Sequence, residues 1–299
     1  MPLHPDARAF LAKMGNTPQP DEMSIEAFRM AANAVIASGP VLQIGAVHDI
    51  AIPGGDAQSM KLRVYVPEGV GPFPAIVWLH GGSFVRGTLD MFDAGRRAFV
   101  KASGCIIVAV DQRLSPEAQF PEPLDDAYAA LLWASTHALE FGADPALLGV
   151  AGESSGGNLA AAVALLARDK GAPRISFQLL IEPLVDAHCD APSVSELADG
   201  YVLTKRQLLW AYQQYAPTIP LDHPLLSPLC AKDLGGLPSA VIVTIEYDPV
   251  RDEGEHYADR LSSAGVRVLR ARIPGMLHHF PGPELLPTTV RLLNELIRT

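Results

Sequence analysis

Short apolar segments alternate with helical segments through most of this 299-residue chain, and this alternation limits its fold more than any other feature. Several of the apolar segments are hydrophobic throughout, which is typical of strands covered on both faces in a parallel sheet. Strands that alternate with helices predict a doubly wound α/β sheet. The predicted strands are Ala75–Leu79, Cys105–Val110, Leu147–Ala151, Ile175–Ile181, Ala240–Ile245 and Val266–Ala271.

Helices are predicted between these strands, at both ends of the chain and in one long segment without strands. The segment Gly15–Pro18 is rich in helix breakers and separates two N-terminal helices. The predicted helices are Asp6–Met14, Ser24–Ala37, Ala94–Ala102, Leu124–His137, Gly157–Arg168, Leu203–Tyr215, Asp252–Ser263 and Glu284–Arg298.

The length of the chain suits one α/β core that carries an insertion. No strand is predicted from about Pro183 to about Pro228, so this segment is expected to lie above the sheet. We therefore predict a core in two parts with a helical cap. The core comprises residues 41–182 and 229–299, and the cap comprises the N-terminal helices of residues 1–40 and the insertion of residues 183–228.

Composition and charge exclude several classes of partner. The net charge of −10 argues against binding to nucleic acid or to an anionic membrane surface. No apolar run approaches the ~20 residues that span a bilayer, so no stable membrane insertion is expected. The N-terminus lacks the pattern of a secretory signal. The three cysteines, Cys105, Cys189 and Cys230, form no disulfide pattern, and the cytoplasm is the expected compartment.

The strongest local motif is G-E-S-S-G-G at Gly152–Gly157, between a predicted strand and a predicted helix. It matches the G-x-S-x-G turn that exposes a nucleophilic serine. Glycines flank such a serine because a Cβ would clash in the sharp turn, and the helix N-terminus favours developing negative charge. Ser154 is therefore the predicted nucleophile. Ser155 is the local rival, but it would be the first helical residue. An ordinary serine in a glycine-rich connection is the structural alternative.

A second glycine motif, His80-Gly81-Gly82-Ser83-Phe84, directly follows the first predicted strand. Adjacent glycines let backbone N–H groups approach a ligand, as an oxyanion hole requires. We predict that the amides of Gly81, Gly82 and Ser155 bind the oxyanion. A simple Gly-Gly turn explains the motif when it is taken alone. His80 is expected to brace the loop.

A serine nucleophile needs a base and an orienting acid, which follow it in the order acid, then histidine. Asp248 lies just beyond the predicted strand Ala240–Ile245. His278 and His279 lie just beyond Val266–Ala271. The structural alternative for Asp248 is a turn residue before Pro249, and for the two histidines it is a solvated loop.

Together, five motifs resemble those of the bacterial esterases of the hormone-sensitive lipase family, which have the α/β-hydrolase fold. The resemblance covers nearly the whole chain. It implies a triad of Ser154, Asp248 and His278, and hydrolysis of small, short- to medium-chain carboxylic esters without a metal or organic cofactor. Phe84 and Tyr201 are expected in the pocket wall. The motifs are His80–Ser83, Asp111–Glu117, Gly152–Gly157, Asp248–Gly254 and His278–Phe280.

Several positions depart from the family pattern without removing a triad member. A glycine is replaced by Ser83, a tyrosine by Gln112 and a second glycine by His279. Glu153 and Ser155 replace aspartate and alanine beside the predicted nucleophile. Family members often dimerise through the sheet edge near the last strand, and a homodimer is left open.

Two other functions stay open on the sequence. An amidase or lactonase would use the same groups on a different acyl compound. A receptor of this fold would bind small molecules without turnover, although such proteins usually lack a triad member. A nicotinamide-dependent enzyme is excluded because no G-x-G-x-x-G follows the first strand. A dehalogenase or epoxide hydrolase needs a carboxylate where Ser154 stands.

Overall fold

The computed structural model describes residues 1–15, 18–33, 41–280 and 282–298. An eight-stranded sheet lies at its centre. The strands are β1 (Ala46–Pro53), β2 (Ser59–Val66), β3 (Phe73–Leu79), β4 (Ile106–Val110), β5 (Ala143–Glu153), β6 (Phe177–Ile181), β7 (Ser239–Tyr247) and β8 (Val268–Leu277). Their order in the sheet is β1-β2-β4-β3-β5-β6-β7-β8. The β1-β2 and β2-β4 pairs are antiparallel, and all other neighbouring strands are parallel.

All six predicted strands are present, and the antiparallel pair β1-β2 is additional. β2 largely alternates buried and exposed side chains, so its sequence has no long apolar run that would mark it as a strand. Its partner β1 lies at the sheet edge and is largely exposed. Strands of this kind are covered on one face only, so their sequences lack the uniform hydrophobicity of the central strands.

Helices cover both faces of the sheet. Successive residues of β3 and β4 belong alternately to two hydrophobic clusters, one on each face. One cluster includes α4, α5 and α8, and the other includes α3 and α9. The helices are α1 (Pro5–Met14), α2 (Ile25–Asn33), α3 (Leu89–Ser103), α4 (Glu122–His137), α5 (Ser155–Lys170), α6 (Pro192–Glu196), α7 (Lys205–Tyr215), α8 (Arg251–Ser263) and α9 (Leu285–Ile297).

The predicted helices are present with shifted ends. Ser24 caps α2, since its Oγ accepts a hydrogen bond from the Ala27 amide at 3.1 Å. Residues 34–37 of the predicted helix Ser24–Ala37 lie outside the described residues. Within the described ranges, no helix has both the length and the apolar character needed to cross a membrane.

The N-terminal segment contacts the segment between β6 and β7. Thr204, the N-cap of α7, donates to Gln19 Oε1 at 2.8 Å. Arg206 of α7 forms ion pairs with Asp21 and Glu22. Residues 183–228 contain no strand, as the sequence predicts. The described part of the N-terminal segment is therefore joined to α7 by hydrogen bonds and ion pairs.

Candidate active site

Ser154 stands in a sharp turn between β5 and α5, with φ 55° and ψ −122°. This is the left-handed region, in which residues other than glycine are uncommon. A Cβ at Gly152 would lie 2.1 Å from the Gly156 carbonyl oxygen, and a Cβ at Gly156 would lie 2.1 Å from the Leu79 oxygen. The flanking glycines are therefore required by close backbone contacts, as the motif predicts.

Ser154, His278 and Asp248 form one buried, hydrogen-bonded row. Ser154 Oγ lies 2.9 Å from His278 Nε2. His278 Nδ1 lies 2.7 Å from Asp248 Oδ2, and the other oxygen of Asp248 accepts from the Val250 amide at 3.0 Å. The three residues directly follow β5, β8 and β7, whose carboxyl ends meet at one edge of the parallel sheet. The structure thus brings together three residues that are far apart in the chain.

The charges in this row favour a protonated imidazole. Burial disfavours the imidazolium of His278, but the carboxylates of Asp248 and Glu182 outweigh it and raise the pKa of His278. Burial also raises the pKa of Asp248, against the attraction of His278. A carboxylate in this position stabilises the imidazolium that forms when a serine gives up its proton.

Glu182 is a buried acidic residue that the sequence reasoning did not single out. It directly follows β6 and has φ 41°. Its Oε1 lies 3.0 Å from His279 Nδ1, and its Oε2 lies 3.6 Å from His278 Nδ1. Burial raises its pKa, but the two imidazoles outweigh this and lower the pKa of Glu182. The sequence signal that marks it is an acidic residue directly after a buried strand.

The predicted oxyanion donors differ in their hydrogen bonding. The Gly81 amide donates to Glu153 Oε1 at 3.3 Å. Within the described residues, the Gly82 amide has no protein acceptor. The Ser155 amide begins α5, where a helix offers no internal acceptor. Gly82 and Ser155 are therefore available to a ligand oxygen, whereas Gly81 is shared with a carboxylate.

Glu153 braces the serine turn against the glycine loop. Its carboxylate accepts from Trp78 Nε1 at 2.5 Å and from Arg96 at 2.6 Å, in addition to the Gly81 amide. Glu153 is itself buried. This residue replaces the aspartate of the family pattern, and its contacts tie β3, the glycine loop and the serine turn together.

His80 and Gln112 support the same loop from the other side. His80 Nδ1 lies 2.9 Å from the Gly81 oxygen, and its ring stacks on Phe92 with centroids 5.3 Å apart. Gln112 Nε2 donates to the His80 oxygen at 3.0 Å. The expected bracing role of His80 fits these contacts. Gln112 braces the loop as well, and it does not line the cavity beside His278.

A cavity of about 430 Å³ lies between the N-terminal segment and the segment before α7, and it reaches His278 and His279. Tyr201 lines this cavity. Phe84 does not line it and instead lies, with Ser155, beside a smaller pocket. With φ 61°, Phe84 is only 5% exposed and stacks on Tyr215 with centroids 4.0 Å apart. The backbone conformation turns this ring into the core.

The other departures from the family pattern also have defined contacts. Ser83 Oγ accepts from Gln207 Nε2 of α7 at 3.1 Å, so it links the glycine loop to α7. His279 has φ 56°, and its side chain is 31% exposed beside the cavity. Its ring contacts that of His278 edge-on, with centroids 4.3 Å apart.

The sheet, the serine turn after the fifth strand and the hydrogen-bonded row together define an α/β hydrolase. A family described by its alpha/beta hydrolase fold matches residues 76–282, which is more than half of the chain. The chain belongs to this family, and its resemblance to the hormone-sensitive lipase group of esterases is confirmed.

Several known proteins are similar to this chain. Carboxylic ester hydrolase LipN of Mycobacterium tuberculosis is 40% identical over 249 residues, which cover 81% of this chain and 66% of LipN, just under two thirds of that protein. Ethyl acetate hydrolase of Pseudomonas putida is 36% identical over 256 residues, which cover 83% of this chain and 80% of that enzyme. The structure of a hyperthermophilic esterase from the archaeon Pyrobaculum calidifontis has a TM-score of 0.90 at 35% identity and matches over 100% of both chains.

Proposed function

We propose that this protein is a carboxylic ester hydrolase in which Ser154 forms an acyl-enzyme. The observation that carries the proposal is the row of hydrogen bonds, 2.9 Å from Ser154 to His278 and 2.7 Å from His278 to Asp248. The names of the similar proteins, which are ester hydrolases, support it.

The proposed reaction has two steps. In the first, Ser154 Oγ attacks the ester carbonyl while His278 Nε2 takes its proton, and Asp248 stabilises the imidazolium. The amides of Gly82 and Ser155, with the shared amide of Gly81, bind the oxyanion. The proton passes to the leaving alcohol. In the second step, water loses a proton to His278 and attacks the acyl group; the bond to Ser154 Oγ then breaks, His278 returns the proton to this oxygen, and the acid is released.

We propose small esters of short to medium acyl chain as the substrates. The cavity of about 430 Å³ beside His278 and the activity in the name of ethyl acetate hydrolase support this. A series of p-nitrophenyl esters from two to sixteen carbons tests it. We expect kcat/KM to be highest below about eight carbons; a maximum at sixteen carbons would contradict the proposal. A matched p-nitroanilide and a lactone test the amidase and lactonase alternatives, and absence of all turnover would favour a receptor.

We propose that the N-terminal segment, residues 1–40, and the segment of residues 183–228 form a cap that determines which esters enter. The contacts between Thr204 and Gln19 and between Ser83 and Gln207 support a cap joined to the site.

A homodimer through the β8 edge of the sheet is the proposed assembly, and size-exclusion chromatography with light scattering tests it. The free cysteines support the cytoplasm as the compartment.

Asp248→Asn is expected to lower kcat far more than Asp252→Asn. Asp248 orients His278, so its loss should reduce kcat by about 10²–10⁴-fold. The carboxylate of Glu182, 3.6 Å from His278 Nδ1, keeps some negative charge there and moderates the loss. Asp252 instead accepts from the Ser193 amide at 2.9 Å and from Arg251, so its variant should change mainly the melting temperature. Steady-state kinetics with thermal melts decide; equal kinetic losses would contradict the assignment.

Glu182→Gln is expected to move the acidic limb of the kcat/KM profile to lower pH. The negative charge of Glu182 raises the pKa of His278, so its removal lowers that pKa. His278 must be neutral to accept a proton, and a lower pKa keeps it neutral at lower pH. We expect a shift of roughly one pH unit. An unchanged limb in a correctly folded variant would show that Glu182 does not act on the base.

A further inference from the structure

Arg86 is the one arginine or lysine among the described residues that line the cavity beside His278. It lies in the loop between β3 and α3, and its guanidinium stacks on the Phe28 ring at 4.3 Å from the ring centroid. Its Nε is buried without a hydrogen-bond partner. Within the described chain, its side chain makes no ion pair. Burial, with no carboxylate to offset it, lowers the pKa of Arg86 to about 10.

A neighbouring arginine shows that this loop region does offer partners. Arg29 of α2 donates to the oxygens of Val85 and Ser115 at 2.8 and 3.0 Å, and it pairs with Glu117 at 2.6 Å. Arg86 uses none of these acceptors. A largely buried charge without a partner is costly to a folded protein, and such charges are normally paired. A ligand anion would supply the missing partner of Arg86.

The acidic groups nearest to this cavity are engaged or exposed. Glu182 and Asp248 pair with His279 and His278. Asp199 also lines the cavity, but it is exposed and does not pair with Arg86. Among the described residues that line the cavity, Arg86 is therefore a cation without an ion-pair partner, and it lies near the hydrogen-bonded triad.

We propose that Arg86 binds a carboxylate on the substrate, so that the enzyme selects esters that carry a negative charge. Half-esters of dicarboxylic acids and acylated hydroxy acids belong to this class. The inference rests on the proposed ester hydrolysis at Ser154. The arginine fork can bind a carboxylate through two parallel hydrogen bonds, which fixes both position and orientation.

The backbone places this charge beside the oxyanion loop. The Arg86 amide donates to the Gly82 oxygen at 3.1 Å. A Cβ at Gly82 would lie 2.0 Å from the Arg86 oxygen, so the two residues are in close contact. A carboxylate on Arg86 is thus held at a fixed place relative to the ester carbonyl, and this favours one spacing between the charge and the scissile bond.

Two matched pairs of esters test the proposal on either side of the scissile bond. Monoethyl succinate is compared with ethyl methyl succinate by ethanol release, and acetoxyacetate with methyl acetoxyacetate by acetate release. In at least one pair, the wild-type enzyme should have the higher kcat/KM for the charged ester. Arg86→Met should lower the charged-to-neutral ratio ten- to hundredfold. Lys101→Gln removes a charge from the exposed end of α3, outside the cavity lining, and should keep the wild-type ratio.

The remaining outcomes separate this inference from the proposed function. If the enzyme hydrolyses p-nitrophenyl acetate but Arg86→Met leaves the charged-to-neutral ratio of kcat/KM unchanged in both pairs, the role of Arg86 is overturned. Ester hydrolysis at Ser154 would then still stand. Calorimetric binding of succinate tests Arg86 even without turnover, and equal affinity in wild type and Arg86→Met would also overturn it. Arg86→Met loses the stacking on Phe28 but no ion pair, so its melting temperature should change little; a large drop would indicate a structural role and count against the binding role.

Discussion

Ser154→Ala is expected to abolish ester hydrolysis and to leave the fold intact. The substitution removes one buried oxygen from the row that ends at Asp248. Members of such a triad act as a unit, and the loss in kcat should reach about 10⁶-fold. The melting temperature should change by no more than about 3 °C, because little packing is lost. Initial rates on p-nitrophenyl acetate and a thermal melt measure both quantities.

The exposed Ser135 of α4 supplies a matched control, since its hydroxyl bonds only the Leu132 carbonyl of its own helix. Ser135→Ala should keep wild-type kcat. More than about one per cent of activity in Ser154→Ala, in a preparation free of wild-type enzyme, would mean that another residue is the nucleophile.

The second large effect is expected at the adjacent histidines, where His278→Ala should be nearly inactive and His279→Gly should keep most of kcat. His278 contacts both Ser154 and Asp248, whereas His279 pairs with Glu182 at the cavity wall. Loss of the base should lower kcat by about 10⁴–10⁶-fold. At φ 56°, His279 occupies a conformation that glycine adopts freely, so His279→Gly should not destabilise the fold.

The pH profile of His279→Gly gives a further readout. Removal of His279 leaves Glu182 to act on His278 alone, which should raise the pKa of His278 and move the acidic limb of kcat/KM to higher pH. This shift is opposite in sign to that expected for Glu182→Gln. An active His278→Ala beside an inactive His279→Gly would contradict the assignment of the base.

The sequence predicts the core of the site because the chemistry depends on strand ends. Ser154, Asp248 and His278 each follow a strand that is apolar enough to recognise, and parallel strands bring their carboxyl ends to one sheet edge. The flanking glycines of the serine turn are equally readable, since close backbone contacts at Gly152 and Gly156 leave no room for a side chain.

The features that the sequence did not predict depend on local conformation. The half-exposed strands β1 and β2 lack continuous apolar runs. The positive φ of Phe84 turns its ring into the core, and a positive φ is not readable from a phenylalanine. The contacts of Glu182 with the imidazoles of His278 and His279 arise only in the folded chain. The sequence also does not show that the folded chain buries Arg86 without a carboxylate to pair with it.

The most direct test of the acyl-enzyme mechanism is mass spectrometry of the enzyme after reaction with a fluorophosphonate. Activated serine nucleophiles react with this probe. The account predicts one adduct per chain, and fragmentation should place it on Ser154 rather than on the adjacent Ser155. The adduct should be absent from Ser154→Ala, and its formation should parallel the loss of esterase activity. An adduct on another residue, or full ester hydrolysis by enzyme labelled on Ser154, would contradict the account.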